Sequence, residues 1–446
     1  MSQLKTSLIG TVRAVVSNVL ESKPARQSGM LIGMQGFGML LSFGLTVLIT
    51  RGLDVANYGL FRYAMTFLML AMMLLQFGWP FSASRLLALE NERAAQKEIV
   101  GASLVMLMIS VTIGTVMTFT GFWLAESLGY HLPRIIIWVA PFLHVTLGQY
   151  MISNICQGMN RISLLSFQQV LPYLLLLPVT AVQIYIFANY SLAAAVIGYV
   201  VTFSVVIAIG FFRLGFSFAG WRSRVRMILK ENRGTGFPTY IGGICGVASG
   251  QVVAMWVSEF VDPSRYGQYA LALAVSSPLS VSVSSIGTVI FRSSSKSRSL
   301  SKKVLTLSLA LGGALGLAYV IAAEKLLVLA FGAKYGPSVQ MVQLMGIGAL
   351  LIGWGDILNR FLGAQGWGKG LGLAAVSTGV VGIVSAAILL PTWNVYGAIV
   401  SSILSSATYF GLMVVLYIIC TARHRRGGLA LAESDLMSPK VESGAP

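Results

Sequence analysis

Seven polar side chains stand inside, or at the ends of, otherwise apolar stretches: Gln35, Arg51, Arg62, Gln76, Arg85, Gln251 and Arg292. Arginine brings a permanently charged fork of donors, and its natural counterpart is phosphate. Arg62 stands out because it lies about one turn inside an apolar run, beyond Tyr58-Gly59. A charge facing lipid there is costly, so it either snorkels to the interface or faces a polar cavity. Arg85 and Arg292 sit at the ends of apolar runs, where a basic residue also serves as a topology signal. His144 lies mid-run between Pro141 and Gly148; it can relay protons or make a structural hydrogen bond. Asp356 and Arg360, four residues apart, read as a helical ion pair or as part of an ion-coupling site.

Enzyme chemistry has no foothold of comparable quality. The chain has no Gly-x-x-x-x-Gly-Lys-Ser/Thr phosphate loop and no His/Cys/carboxylate cluster that suggests a metal, so neither cofactor nor catalytic residues are expected. Cys156, Cys245 and Cys420 lie in or beside apolar runs with no metal or disulfide spacing. The repeats Gly29/Gly33 and Gly242/Gly246/Gly250 have the four-residue spacing that allows close helix approach.

The elements that position these groups follow from composition. Of 446 residues, 56% are hydrophobic and 10% charged, against roughly 25% charge in soluble proteins. The bilayer is the solvent that suits this composition. A spanning helix needs about 20 mostly apolar residues. Such runs, punctuated by charges or Pro/Asn turns, predict helices near 29–50, 60–81, 100–122, 135–156, 164–187, 192–212, 237–258, 268–291, 304–323, 339–358, 371–390 and 396–420. Ile162 to Phe212 and Gly370 to Ala422 are double-length runs free of Asp, Glu, Lys and Arg. Ala188-Asn189-Tyr190-Ser191 and Pro391-Thr392-Trp393-Asn394 break them into tight hairpins.

With the N-terminus inside, 25 of the 31 Lys and Arg fall on the cytoplasmic side, which orients the chain with both termini cytoplasmic. The net charge of +17 is thus a topology signal with affinity for anionic lipids, not a nucleic-acid footprint. Residues 1–27 carry a helical apolar face, Leu4, Leu8, Ile9, Val12, Val15, Val16, Val19 and Leu20, read as an interfacial amphipathic segment without a cleavable signal. The expected organisation is that segment, a first lobe at 28–215, a basic cytoplasmic linker at 216–236, a second lobe at 237–420 and a cytoplasmic tail at 421–446.

The halves repeat at an offset of 208 residues. Leu53-Asp54-Val55-Ala56-Asn57-Tyr58-Gly59 aligns with Val261-Asp262-Pro263-Ser264-Arg265-Tyr266-Gly267, Gln157-Gly158 with Gln365-Gly366, and Arg161 with Lys369. Arg62 has Ala270 as its counterpart. Six helices per half is an even number, so the repeats enter the membrane the same way round, about an axis along the membrane normal, an arrangement common in transporters.

The string Leu48-Ile49-Thr50-Arg51-Gly52-Leu53, followed by Tyr58-Gly59-Leu60-Phe61, resembles the same region of the bacterial Wzx-type polysaccharide and O-antigen flippases. Gly78 to Arg85 and Gln157-Gly158-Met159-Asn160-Arg161 fit the same pattern. Their superfamily also holds multidrug-and-toxin extruders and the lipid II flippase. The resemblance implies an all-α integral membrane protein of about twelve helices, in two parallel six-helix lobes around a central cavity. It implies alternating access in the bacterial inner membrane and a polyprenyl-pyrophosphate-linked oligosaccharide as substrate, as in lipopolysaccharide assembly. Membrane lipids, a polysaccharide polymerase and chain-length proteins are the implied partners. On that fold the seven polar residues are substrate-binding candidates, and His144 and Asp356 coupling candidates. A cation-coupled multidrug or metabolite exporter, a membrane enzyme of polysaccharide assembly and a non-transporting scaffold are the alternatives. The first lobe has no acidic residue in its helix interiors, which counts against the exporter, and no catalytic acids mark the enzyme.

Overall fold

The computed structural model describes residues 23–188, 190–237, 240–241, 244, 248–294, 299–365 and 367–437. The amphipathic face of residues 4–20 lies outside them, as does the side chain of Arg292. Every described element is helical: α1 (Lys23–Gly52), α2 (Val55–Leu75), α3 (Trp79–Leu89), α4 (Arg93–Ser127), α5 (Ile135–Gly158), α6 (Ile162–Tyr185), α7 (Leu192–Leu214), α8 (Trp221–Glu231), α9 (Ser249–Phe260), α10 (Pro263–Ser294), α11 (Lys302–Phe331), α12 (Val339–Ala364), α13 (368–393) and α14 (395–437).

Nine described segments are long and apolar enough to cross a membrane. One of them, Gly368–Arg423, is 56 residues long and reverses at Asn394, whose φ of 50° and ψ of −131° are not helical. Across that reversal the Ser385 and Ser401 hydroxyls meet at 2.7 Å, Ser401 Oγ donates to Gly382 O at 2.8 Å, and Ser405 Oγ to Thr378 O at 3.1 Å. Bonds that pair residues centred on positions 391–393 are those of an antiparallel helical hairpin, so this segment makes two crossings. Two more helices stand where the remaining spans are expected: α9, described for 12 residues, and the serine-rich α10 with Pro278 inside it. The α6–α7 pair is built alike. Gln168 Nε2 donates to Val206 O at 2.9 Å, Tyr173 meets Phe203 edge-on, Ser191 caps α7, and Ala188 at φ 48° turns the chain. Large apolar side chains such as Trp138, Phe212, Ile321 and Leu329 are over 70% exposed. In water that would be untenable; against acyl chains it costs nothing.

The chain divides into two compact units, one of Met1–Ile244 with Asp262–Gly267, the other of Cys245–Val261 with Gln268–Pro446. In the first unit Asp262–Gly267 packs on its repeat counterpart, Asp54–Gly59. A Cβ at Gly59 would lie 2.0 Å from Pro263 O, and one at Gly267 2.4 Å from Val55 O. Pro263 is the counterpart of Val55, so two copies of one turn face each other reciprocally. The repeat, inferred from spacing, is thus expressed as a contact. Asp54 caps α2 by accepting from Asn57 N at 2.6 Å, and Asp262 accepts from Arg265 N at 3.0 Å in the same way.

Of the four-residue glycine repeats, the described members Gly33 and Gly250 do not mark close approaches. Nothing would lie within 4 Å of a Cβ at Gly33 or Gly250. Backbones instead meet at the turn glycines 59 and 267 and at Gly101, where spacing carries no signal.

Residues 216–236 are more ordered than a basic loop. The α8 helix lies against α3 and α4, tied by Arg224 Nε to Glu98 Oε2 at 2.9 Å and by the Arg85–Glu231 ion pair. Asn232, buried just beyond α8, donates to Phe77 O at 2.9 Å and accepts from Ser82 Oγ at 3.1 Å. It thereby braces the break between α2 and α3, where Phe77 and Gly78 both take positive φ. The single long helix expected at 60–81 is therefore two helices, because consecutive left-handed residues interrupt the backbone ladder.

In the second unit an apolar cluster of Ile357, Phe361, Leu362, Ala374, Met413 and Cys420 joins α12 to the α13–α14 hairpin. Polar bonds cross between its helices: Trp354 Nε1 to Ser308 O at 3.1 Å, and the Ser276 and Tyr319 hydroxyls at 2.9 Å. In lipid, such bonds and close packing take the place of the hydrophobic effect between helices.

Candidate functional site

The most unusual polar environment in the first unit surrounds Arg62 on α2. The residue is half-buried, and its Nε is fully covered with no hydrogen-bond partner among the described residues. No described carboxylate pairs with it. Instead its charge acts on the phenols of Tyr58, Tyr173, Tyr199 and Tyr266. These come from α2, α6, α7 and the turn of Asp262–Gly267, so four separated stretches converge on one guanidinium.

Aromatic packing and hydroxyl bonds hold the nest. Tyr199 stacks on Phe203 at 4.1 Å between centroids, with Phe61 and Tyr173 edge-on to the same pair. Tyr63 and Tyr266 meet edge-on at 5.8 Å, and Tyr266 donates to Thr66 Oγ1 at 3.4 Å. Ser42 on α1 faces the Tyr173 phenol. Beside it on α6, the Gln168 and Gln169 side-chain oxygens are covered without partners. A guanidinium with four phenols within its electrostatic reach and, among the described residues, no carboxylate to neutralise it can hold an anion. Phosphate oxygens would accept from the guanidinium in a charge-assisted bond.

The other candidates lie elsewhere. Gln35 and Arg51 are exposed on α1, and Gln76 is the half-buried C-cap residue of α2, its N–H bonded to Met72 O. Arg85 is engaged with Glu231, whose carboxylate also accepts from Thr235 Oγ1 at 2.9 Å. Gln251 is half-buried on α9 in the second unit. Among the described side chains, Arg62 is the one candidate found in the nest. The tyrosines escaped sequence reasoning. Tyr58 and Tyr266 were visible as repeat positions, but nothing in the spacing of Tyr173 and Tyr199 aims them at Arg62.

His144 hydrogen-bonds through Nε2 to Ser204 Oγ at 2.8 Å, tying α5 to α7. Asp356 makes no ion pair with Arg360 at 4 Å or less; its Oδ1 accepts from Tyr409 OH at 2.8 Å, and Asn359 Nδ2 donates to the same phenol at 2.8 Å. A rigid phenol reaching across from α14 offers a closer partner than an exposed arginine on the same helix.

This architecture is that of a multi-pass membrane transporter fold. An inward-facing multidrug resistance transporter of the MATE family, in the MOP superfamily, superposes with a TM-score of 0.63 at 12% identity, over 88% of this chain and 97% of that one. The lipid II flippase MurJ in an inward closed conformation gives 0.65 at 12% identity, over 91% and 92%. The MATE multidrug transporter DinF-BH gives 0.59 at 14%, over 87% and 94%. No curated sequence matches the chain. A family model described as "Polysaccharide biosynthesis protein" matches residues 25–297, and the chain belongs to that family. The family is one of polysaccharide biosynthesis, and the fold is one shared with these transporters.

Proposed function

We propose that this protein is a flippase that moves a polyprenyl-pyrophosphate-linked oligosaccharide from the inner to the outer leaflet of a bacterial cytoplasmic membrane. It works by alternating access, with both termini in the cytoplasm. The observation that carries this reading is the Arg62 nest: a cation acting on four phenols, inside an apolar helix, with no carboxylate partner among the described residues. Membership of a polysaccharide biosynthesis family supports the sugar-lipid substrate, and the fold shared with a lipid II flippase supports the transport mode. Arg62 holds the pyrophosphate while the prenyl tail stays in lipid. A pyrophosphate leaving a negative interior is assisted by roughly 2.3 kcal/mol per charge per 100 mV. Gln35, Arg51, Gln76, Gln251 and Arg292 serve as secondary contacts to the sugar-pyrophosphate head, and Arg85 acts chiefly as a brace for α8. A polysaccharide polymerase and chain-length proteins take up the product.

Deleting the protein tests this in cells. Lipid-linked repeat units should build up on the cytoplasmic face, and restoring the wild type, but not an Arg62→Ala variant, should clear them. An unchanged leaflet distribution would remove the proposal. A second reading, a cation-coupled exporter, is favoured by one observation, the Asp356 carboxylate held by Tyr409 within a span of the second unit. It predicts that Asp356→Asn abolishes ion-driven efflux of an organic cation, whereas the flippase reading predicts no such efflux at all.

A further inference from the structure

An open cavity of about 720 Å³ lies at the end of the first unit where α4 begins and α7 ends, near the basic linker. Four cations line it: Arg93 and Lys97 on α4, Arg161 before α6 and Arg213 at the end of α7. Its one carboxylate, Glu98, is already bonded to Arg224 at 2.9 Å. The positive-inside rule asks only that such charges lie on one side of the membrane. It does not ask four of them to surround one hollow, where they repel each other.

The start of α4 also points to an anion. The 35-residue helix α4 starts after its N-cap residue Glu92, whose side chain makes no cap hydrogen bond, and it has no acidic residue in its first turn. Arg93 and Lys97 stand at that start, the end of a helix dipole that disfavours cations and favours negative charge. The walls are also firmly built. Ser217 N donates to Lys97 O at 2.9 Å, and a Cβ at Gly101 would lie 2.0 Å from Ser217 O, so the 215–217 loop is pressed onto α4. Gly215, at φ 74°, lets the chain turn there with the Lys97 stem 3.2 Å from where its Cβ would be. Arg161 is held by its bond to Arg213 O at 2.9 Å.

The cavity also has an aromatic side. Phe212 and Phe216 line it, and Phe212 is 75% exposed. Beyond it, α4 and α7 both pack on α5, where Leu107 and Ile207 lie against Gly148, and their outer faces expose Met108 and Val205. A headgroup in the cavity would leave its acyl chains along these faces.

We propose that this cavity binds the phosphate of an anionic phospholipid headgroup, held by Arg93, Lys97, Arg161 and Arg213. The site is separate from Arg62 and does not rest on what the protein transports. One phosphate would relieve the repulsion among the four cations and complete the start of α4.

The test is lipid binding to the full-length protein in detergent, by native mass spectrometry with phosphatidylglycerol, phosphatidylcholine and inorganic phosphate. The variant Arg93→Gln/Lys97→Gln is compared with wild type and with Arg134→Gln/Lys325→Gln, which removes the same charge elsewhere. We expect the tightest phosphatidylglycerol to weaken about thirtyfold in the first variant, from about 1 kcal/mol for each of the two basic residues, and to be unchanged in the second. Phosphatidylcholine should not compete. Should the double variant fail to fold, Arg93→Gln alone supplies the comparison with a smaller loss. Equal phosphatidylglycerol binding in wild type and cavity variant overturns the site. Inorganic phosphate that displaces phosphatidylglycerol, with no advantage for the lipid, overturns the lipid assignment in favour of a soluble anion.

Discussion

Replacing Arg62 by glutamine separates a transport residue from a structural one. Were Arg62 half of a buried ion pair, breaking the pair would cost about 3–5 kcal/mol of stability. It has no carboxylate partner among the described residues, and its Nε is covered without a hydrogen bond. An unsatisfied buried polar group itself costs about 1–3 kcal/mol. Arg62→Gln should therefore melt at the wild-type temperature or a few degrees above it. Transport should move the other way. A charge-assisted bond to phosphate contributes about 1.5–3 kcal/mol, so the loss is about tenfold to a hundredfold in apparent substrate affinity. Arg62→Lys keeps the charge without the planar fork and should fall between the two. The assay pairs thermal unfolding of the purified protein with substrate translocation in proteoliposomes. A glutamine variant destabilised by about 3 kcal/mol or more, the scale of a broken buried pair, or one that transports normally, would refute the reasoning.

The same structure fixes three smaller expectations. Gly59→Ala and Gly267→Ala each drive a methyl into a carbonyl oxygen at 2.0 or 2.4 Å, so each should lower stability by about 1–3 kcal/mol in thermal unfolding. Asn232→Ala removes the partner of Phe77 O and Ser82 Oγ; a loss of about 1–3 kcal/mol is expected, with earlier proteolysis near residues 76–78 as the readout. Asn394→Gly relieves a positive-φ residue at the α13–α14 reversal and should raise the melting point by the equivalent of about 1 kcal/mol, where a lower one would contradict the hairpin geometry.

The helices were legible because lipid leaves little choice: long uncharged runs must span, and the breaks at Ala188 and Asn394 fall where polar turn residues interrupt them. The repeat was legible because its turns carry Asp caps and the glycines on which the two copies meet. What escaped lies where partners distant in sequence decide. Helix α8 is charge-rich and reads as a loop, yet Glu98, Arg85 and Ser82 on other helices hold it and the Asn232 that follows. The break at Phe77 is a positive φ on a bulky residue, which no local pattern announces. Arg62 was singled out as a charge in an apolar run, but Tyr173 and Tyr199 reach it through the packing of α6 and α7, which spacing does not specify. The Asp356–Arg360 spacing suggested a pair on one helix, and a phenol from a neighbouring helix took the carboxylate instead.

The most direct test of the central claim is translocation by the purified protein in proteoliposomes. A polyprenyl-pyrophosphate-linked oligosaccharide is placed in one leaflet, and its arrival in the other is read with an enzyme or lectin that cannot cross the bilayer. The account predicts that wild-type protein equilibrates the lipid across the leaflets and that Arg62→Gln does so at least about tenfold more slowly. Equal rates in wild-type, Arg62→Gln and protein-free vesicles would contradict it.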